Sequence, residues 1–226
     1  MSGRVVIVTG AFGQLGSVVA DHFEAAGDQV ARIDYAPAPE GAPAHHLGEV
    51  DLTQMDAAQI AFDTVTEALG SPSVLVNIAG GFVWETLGDG GPETWERMFR
   101  MNTLTAATMC KASLPVIRDQ AGAAIINIGA TAAANADAGM GAYTGSKAAV
   151  AKLTESLAAE LADSDVTVNA VLPTIVDTAS NRNDMPEADT SDWVKPEDIA
   201  KVIAFLASDD ARCITGASLP VSRGSK

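Results

Sequence analysis

The chain alternates between short runs of apolar, often β-branched residues and longer stretches in which apolar residues recur at helical spacing. The short runs predict buried strands at 4–8, 29–34, 50–52, 73–78, 123–128, 166–172 and 215–221. The longer stretches predict a first helix that follows the turn at 9–16 and ends at Gly27. Further helices are predicted at 53–69 (with Thr53 as the N-cap), 92–114, 142–161 and 196–206.

This alternation predicts an α/β fold in which a parallel sheet is covered by helices on both faces, as in a doubly wound Rossmann-type domain. We expect one domain over residues 1–226. Residues 36–49 are rich in Pro, Gly and Ala and predict a loop. Residues 178–194 are polar and follow a strand end, so we predict a substrate lid over about 178–195.

Composition limits the classes of partner that we expect. The net charge of -15 is expected to repel nucleic acid and anionic membrane surfaces, and no apolar run is long enough to predict a membrane span. The first apolar run is too short for a signal peptide, and Cys110 and Cys213 form no Cys-x-x-Cys pair. We therefore expect a cytoplasmic protein. The His45-His46 pair has no supporting cysteine or acidic cluster, so no metal site is predicted.

A glycine-rich turn follows the first strand, at Thr9-Gly10-Ala11-Phe12-Gly13-Gln14-Leu15-Gly16. A strand, a glycine-rich turn and a helix N-terminus together form the usual cradle for a pyrophosphate. The second strand ends in Asp34, whose carboxylate can accept hydrogen bonds from ribose hydroxyls and repel a 2′-phosphate. This indicates NAD(H) in preference to NADP(H), although Arg32 lies close by in the sequence.

Tyr143 and Lys147 are four residues apart at the start of the long helix predicted at 142–161. Positions i and i+4 share one helix face, so the phenol and the ammonium group are expected to be neighbours. A nearby positive charge favours phenolate, and we therefore expect the pKa of Tyr143 to be lowered. A tyrosine of this kind can give or take a proton.

Further short motifs occur in a fixed order around these two features. They are Asp51-Leu52, Asn77-Ile78-Ala79-Gly80, Asn102, Asn169-Ala170-Val171-Leu172-Pro173 and Ile214-Thr215-Gly216. With the glycine turn and the Tyr143/Lys147 pair, their order and spacing resemble the short-chain dehydrogenase/reductase family over nearly the whole chain.

The resemblance implies a nicotinamide cofactor and hydride transfer. It implies that Tyr143 is the proton donor, that Lys147 holds the nicotinamide ribose, that Asn102 anchors a water linking Lys147 to solvent, and that Thr178 lies near the carboxamide. The residues it implies in cofactor binding are Gly10, Phe12, Gly13, Gln14, Leu15, Asp34, Asp51, Leu52, Asn77, Ala79, Gly80, Tyr143, Lys147, Pro173 and Thr178.

Three positions depart from the family pattern. Gln14 stands where the commonest pattern has glycine, and Thr174 stands where glycine usually follows the proline. Ala130, thirteen residues before Tyr143, occupies the place of the catalytic serine. That hydroxyl stabilises developing negative charge on a substrate oxygen. Thr131 is a candidate substitute, although adjacent side chains at a strand end usually point apart.

Because it lacks the serine, the chain also resembles a smaller group in the family, the dihydropteridine reductases. The likeness extends to Ala79-Gly80-Gly81, Gly129-Ala130, Asp177-Thr178, Asn181-Arg182 and Met185-Pro186-Glu187-Ala188-Asp189. It implies reduction of a quinonoid pteridine, which has less need of a second hydroxyl. The Thr9-Gly10 start of the turn has the ordinary family form and leaves a small carbonyl or alcohol substrate open.

The sequence thus predicts an NAD(H)-dependent oxidoreductase acting on a small carbonyl, an alcohol or a quinonoid pteridine-like molecule. The alternative is a catalytically weak NAD(H)-binding sensor or interaction protein of the same fold, suggested by Ala130. Small residues along 148–161 allow close helix packing, and by resemblance this helix is expected to form a homodimer or homotetramer interface.

Overall fold

A parallel sheet lies at the centre of the protein in the computed structural model, which describes residues 3–223. Within these residues the strand order is β3-β2-β1-β4-β5-β6-β7, with every neighbouring pair parallel. The strands are β1 (Val5–Thr9), β2 (Gln29–Ile33), β3 (His46–Leu47), β4 (Val74–Asn77), β5 (Ala123–Ile128), β6 (Val166–Pro173) and β7 (Ser218–Val221).

Helices connect these strands and cover both faces of the sheet. They are α1 (Gln14–Ala25), α2 (Met55–Leu69), α3 (Pro92–Phe99), α4 (Thr105–Ile117), α5 (Gly141–Glu160), α6 (Ala179–Asp184) and α7 (Pro196–Leu206). A π-helical segment, Arg100–Leu104, joins α3 to α4. The predicted α/β class with a doubly wound parallel sheet is confirmed.

Two hydrophobic layers hold the helices to the sheet. Alternate residues of a strand point to opposite faces, so Ile7 packs in one layer while Val6 and Val8 pack in the other. The first layer contains residues from α2, α4 and α5, among them Phe62. The second contains residues from α1 and α7, among them Phe23. Strands buried on both faces explain the continuous apolar runs in the sequence.

The structure corrects the predictions between β2 and α2. The predicted strand at 50–52 is absent, and the pairing strand β3 lies instead inside the predicted loop 36–49. The carboxylate of Asp51 accepts a hydrogen bond from Thr53 N at 2.9 Å, which favours a turn over a strand ladder. Thr53 does not cap α2, because the N-cap position falls on Gln54. The predicted helix at 92–114 is interrupted by the π-helical segment and continues to Ile117.

The chain reverses its direction across the sheet at β1. The strands β2 and β3 lie on one side of β1, and β4 to β7 lie on the other. Loops that leave neighbouring strands at such a point diverge and open a crevice beyond the carboxyl ends of the strands. The position of the crevice is therefore fixed between the turns after β1 and β4.

Candidate active site

A cleft of about 1000 Å³ opens at this crevice. It brings together residues that the sequence analysis predicted from widely separated motifs. The predicted residues that line it are Gly10, Gly13, Gln14, Leu15, Asp34, Asp51, Leu52, Ala79, Gly80, Tyr143, Lys147 and Thr178.

The backbone of the glycine-rich turn packs more closely than side chains would allow. Gly10 has a φ of 64°, and a Cβ there would lie 2.8 Å from Ala79 N. A Cβ on Gly16 would overlap the Gly10 carbonyl oxygen. The helix α1 starts without a side-chain cap, so its first backbone N–H groups remain available beside the cleft. These groups suit a pyrophosphate.

Asp34 is held in place at the end of β2 by the glycine-rich turn. Its carboxylate accepts hydrogen bonds from Phe12 N at 2.8 Å and from Ala36 N at 3.0 Å. Arg32, which the sequence left as a candidate counter-charge, instead pairs with Asp21 at 2.5 Å and Glu24 at 2.9 Å on α1. The Asp34 carboxylate therefore has a fixed position in the cleft, whereas the Arg32 guanidinium is paired with carboxylates of α1.

Asp51 and Leu52 line the same side of the cleft. The Thr53 hydroxyl, opposed in part by burial, lowers the pKa of Asp51, so this carboxyl stays ionised. Arg100 donates a hydrogen bond from Nη2 to Thr53 Oγ1 at 3.1 Å. This contact ties the π-helical segment to the wall of the cleft.

Tyr143 and Lys147 occupy successive turns of α5 and both face the cleft. Lys147 is buried, and its Nζ donates a hydrogen bond to the Ile128 carbonyl oxygen at 2.8 Å. Burial lowers the pKa of Lys147 to about 8 and raises the pKa of Tyr143 to about 12. The expected lowering of the Tyr143 pKa is wrong for this structure, because burial removes water from the phenol and so disfavours the phenolate.

Asn102 fixes the floor of the cleft through the residue that follows Gly80. Its Oδ1 accepts a hydrogen bond from Gly81 N at 2.8 Å, and its Nδ2 donates to Gly81 O at 3.0 Å and to Ser146 Oγ at 2.9 Å. Ser146 in turn donates from Oγ to the Tyr143 carbonyl at 2.6 Å. Asn102 therefore positions the helix that carries Tyr143. Its predicted role as a water anchor for Lys147 stays a prediction.

Ala130 is buried at the place where the family has its serine. The neighbouring Thr131 does not face the cleft, since its Oγ1 donates to the Pro173 carbonyl oxygen at 3.1 Å. This geometry does not bring the Thr131 hydroxyl to the cleft, and its suggested replacement of the missing hydroxyl stays a prediction. Pro173 itself is buried at the end of β6 and is absent from the lining of the cleft.

Two more predicted cofactor residues are placed differently from expectation. The Asn77 side chain is only 4% exposed, and its Nδ2 donates to Asn127 Oδ1 at 2.9 Å, away from the cleft. The side chain links β4 to β5, and the predicted contact of Asn77 with a cofactor stays a prediction. Phe12 contributes its backbone N–H to Asp34, while its ring is absent from the lining.

Other cleft residues were missed because they lie in loops or on helices without a motif. They include Tyr35, Phe82, Arg97, Arg100, Met101 and Val176. The position of Phe82 directly after Ala79-Gly80-Gly81 was the available signal, because that turn leads straight into the cleft.

The predicted lid contains the short helix α6 and closes against the glycine-rich turn. The side-chain oxygen of Gln14 accepts a hydrogen bond from Ala179 N at 2.7 Å. Thr178 caps α6 by accepting from Asn181 N at 3.2 Å. Gln14, which departs from the commonest glycine pattern, thus connects the start of α1 to the lid.

The chain is similar to a large set of known oxidoreductases. A family model described as Enoyl-(Acyl carrier protein) reductase matches residues 10–226. The chain belongs to the short-chain dehydrogenase/reductase family. It is therefore an oxidoreductase of that family, and its relatives use a nicotinamide cofactor.

Individual relatives cover almost the entire chain. The 3-oxoacyl-(acyl-carrier-protein) reductase of Pseudomonas aeruginosa is 30% identical, with 99% of this chain and 98% of that protein covered. The meso-2,3-butanediol dehydrogenase of Serratia marcescens is 30% identical, with 98% and 94% covered.

Solved structures agree with the fold. Aldohexose dehydrogenase from Thermoplasma acidophilum, in its ligand-free form, has a TM-score of 0.84 at 29% identity, with 97% of this chain and 92% of that chain covered. A mutant of a short-chain dehydrogenase/reductase from Serratia marcescens has a TM-score of 0.86 at 28% identity, with 97% and 96% covered. None of these relatives is named as a dihydropteridine reductase, so that narrower resemblance stays a prediction.

The described residues show neither a metal-binding cluster nor a membrane-spanning helix. Between residues 3 and 223, no cluster of three or more His, Cys, Asp or Glu side chains is arranged to hold a metal ion. Over the same residues, no helix combines the length and apolar character needed to cross a membrane.

Proposed function

We propose that this protein transfers hydride between NAD(H) and a small carbonyl, alcohol or conjugated quinonoid substrate, with Tyr143 as the proton donor or acceptor. The observation that carries the proposal is the shared cleft, in which Tyr143 and Lys147 meet Gly13 and Asp34. Tyr143 and Lys147 come from α5, whereas the other two follow β1 and β2. A bound nicotinamide would supply the hydride in reduction and accept it in oxidation.

Tyr143 is suited to donating a proton because burial keeps the phenol protonated, with its pKa raised to about 12. In reduction the Tyr143 hydroxyl gives its proton to the substrate atom on which negative charge develops. Lys147 then stabilises the phenolate, and its own pKa of about 8 leaves it largely protonated near neutral pH. In the reverse direction the phenolate of Tyr143 acts as the base.

The preference for NAD(H) over NADP(H) rests on Asp34. Its carboxylate is oriented by two backbone N–H groups and lines the cleft at the end of β2. A 2′-phosphate at this point would meet a fixed negative charge. Arg32, the nearby cation, is paired with Asp21 and Glu24 and gives the phosphate no partner without breaking those contacts.

A conjugated substrate is consistent with the lack of a second free hydroxyl group at the family's serine position. Ala130 offers no hydroxyl, and the Thr131 hydroxyl is bonded to Pro173. A substrate oxygen would thus receive one side-chain hydroxyl where the family pattern supplies two. A simple carbonyl or alcohol is our first candidate, since the named reductase and dehydrogenase relatives suggest this class. A quinonoid pteridine-like molecule is the second, because conjugation spreads the developing charge and reduces the need for the second donor.

The test is a titration followed by a substrate screen. NADH and NADPH binding should be measured by cofactor fluorescence, and NADH oxidation should then be followed with quinonoid dihydropterin and with simple ketones. We expect tighter NADH binding and turnover of at least one class. Tight NADH binding without turnover across both classes would favour the alternative, a cofactor-binding sensor, which the loss of a hydroxyl at Ala130 motivates.

We also propose a cytoplasmic homodimer or homotetramer. On α3, Trp95 and Phe99 are 45% and 49% exposed, and Trp95 lies against Gly141 and Gly145 of α5. This leaves an apolar surface next to the small-residue helix on which the sequence prediction rests. Light scattering of the purified protein tests the assembly, and a monomer at micromolar concentration would contradict it.

A further inference from the structure

An exposed phenylalanine stands beside the phenol of Tyr143. The rings of Phe82 and Tyr143 lie with their centroids 5.0 Å apart and their planes at 85°, an edge-to-face contact. Phe82 lines the cleft and yet remains 53% exposed. The exposed part of its ring is therefore accessible to a molecule that reaches the Tyr143 hydroxyl.

The backbone on the N-terminal side of Phe82 is fixed by two hydrogen bonds. Asn102 bonds both the N–H and the carbonyl of Gly81, the residue directly before Phe82. A Cβ at Gly81 would also come within 2.5 Å of Met101 Sδ, so this segment lies tightly on the π-helical segment. The backbone that carries the Phe82 ring is thus held in place by contacts of the preceding residue.

The segment after Phe82 is held by a second set of contacts. Glu85 N donates a hydrogen bond to the Gly139 carbonyl oxygen at 2.8 Å. The indole of Trp84 lies over Gly139 so closely that a Cβ there would overlap the ring. Gly139 has a φ of 76°, in the region that favours glycine. We call these contacts between 84–85 and Gly139 the indole seat, which ties the Phe82 segment to the start of α5.

The surface around Tyr143 is otherwise mostly apolar. Ile128, Met101 and Val176 line the cleft with Phe82, and the serine position is the buried Ala130. At these apolar side chains the hydroxyl groups of a polyhydroxylated substrate would lose hydrogen bonds with water and find no replacement. A flat apolar group would keep contact with the Phe82 ring, and ring-to-ring contacts favour aromatic over aliphatic groups of equal size.

We propose that Phe82 is a specificity-determining residue that selects substrates with an aromatic or conjugated ring attached to the reacting centre, and that the indole seat positions it. This inference rests on the proposed function, because it assigns the substrate class of the same cleft. Phe82 contacts the ring of the substrate, whereas Trp84 and Gly139 act through Phe82.

The experiment compares phenyl methyl ketone with cyclohexyl methyl ketone, two probes of similar size and polarity. Their dissociation constants are measured by calorimetry with the enzyme saturated by NAD⁺, which cannot reduce them. We expect phenyl methyl ketone to bind about three- to tenfold more tightly, the range that edge-to-face contacts supply. In Phe82→Leu, which keeps apolar bulk without a ring, the ratio should fall to about one.

The indole seat is tested by Gly139→Ala, which should reduce the phenyl preference by displacing Trp84. Gly122→Ala is the matched control, since Gly122 also has a positive φ of 69° but lies before β5 and outside the cleft. It should leave the ratio unchanged.

An unchanged ratio in Phe82→Leu, a preference for the cyclohexyl ketone or no binding of either ketone would overturn the inference. Failure of the proposed function has a different signature, namely no NADH binding or no NADH oxidation with any substrate. A phenyl preference that depends on Phe82 in an enzyme without turnover would uphold the inference and refute the proposed function.

Discussion

The Thr131 hydroxyl donates a hydrogen bond to the Pro173 carbonyl oxygen at 3.1 Å. This bond joins the turn after β5 to the end of β6 and uses the one proton that the hydroxyl can donate. Because Ala130 is the preceding residue, no side-chain hydroxyl from this turn lines the described cleft. The substrate oxygen would accordingly depend on Tyr143 for a hydroxyl donor.

Replacing Thr131 with valine should separate a structural from a catalytic hydroxyl. We expect kcat/KM for the best substrate to stay within about twofold, because the hydroxyl faces Pro173. The free energy of unfolding should fall by about 1 kcal/mol through loss of one hydrogen bond. Steady-state kinetics and urea unfolding measure the two quantities. A fall in kcat of about a hundredfold with little change in stability would show that Thr131 acts on the substrate.

Restoring the family hydroxyl with Ala130→Ser should have opposite results for the two candidate substrate classes. A simple ketone gains a second donor, so kcat should rise by about tenfold or more. A quinonoid substrate should show no gain, because its developing charge is already spread. Measuring kcat for both substrates on one preparation checks this expectation. A larger gain for the quinonoid substrate would argue against our explanation of the missing serine.

The cofactor preference should depend on the charge of Asp34. In Asp34→Asn one side-chain oxygen remains to accept from a backbone N–H, but the repulsion of a 2′-phosphate is removed. We expect the ratio of NADH to NADPH affinity to fall by about tenfold, since a charge contact changes binding by about 1–2 kcal/mol. The control is Asp63→Asn, an exposed carboxylate on α2 that bonds to Gln59. Equal ratios in the parent and Asp34→Asn would refute the assignment.

Burial of Lys147 should appear as a pH-dependent stability. Its pKa falls from 10.5 to about 8 on folding, so between these values the unfolded chain holds a proton that the folded chain has lost. Stability contributed by this group therefore rises with pH in that interval, by roughly 2–3 kcal/mol between about pH 7 and pH 10. Cys110 and Tyr143, whose pKa values are raised from 9.0 and 10.0 to about 12, have the opposite effect, which begins near pH 9 and pH 10.

The measurement compares the parent protein with Lys147→Met, in which Tyr143 and all other titrating groups are retained. The difference in unfolding free energy should shift in favour of the parent as the pH rises from about 7 to 10. A difference that is constant with pH would show that Lys147 keeps its ordinary pKa in the folded protein.

The sequence predicted the sheet because buried parallel strands leave a strong apolar pattern. The bounds of β5 and α7 were predicted to the residue, and Tyr143 and Lys147 were placed on one helix face. Strand ends in such a sheet share one edge, so Gly10, Asp34 and Ala79 could be expected at one cleft before the structure was known.

The features that the sequence did not predict are either too short to leave a periodic pattern or depend on contacts between residues far apart in the sequence. β3 has two residues and pairs with β2 alone, which leaves no periodic pattern. The π-helical segment around Asn102 follows from side-chain bonds to Gly81 and Ser146, far away in the sequence. The raised pKa of Tyr143 reflects burial by the folded chain, whereas the i, i+4 spacing to Lys147 carries only the opposing charge effect.

The central claim is that Tyr143 transfers the proton during hydride transfer in this cleft. Single-turnover oxidation of bound NADH by the best substrate should slow by about a hundredfold or more in Tyr143→Phe, while the NADH dissociation constant stays within about threefold. Phe205→Leu, which replaces an exposed phenylalanine on α7 outside the cleft, serves as the control with an unchanged rate. A Tyr143→Phe enzyme that oxidises NADH at the parent rate would contradict the account.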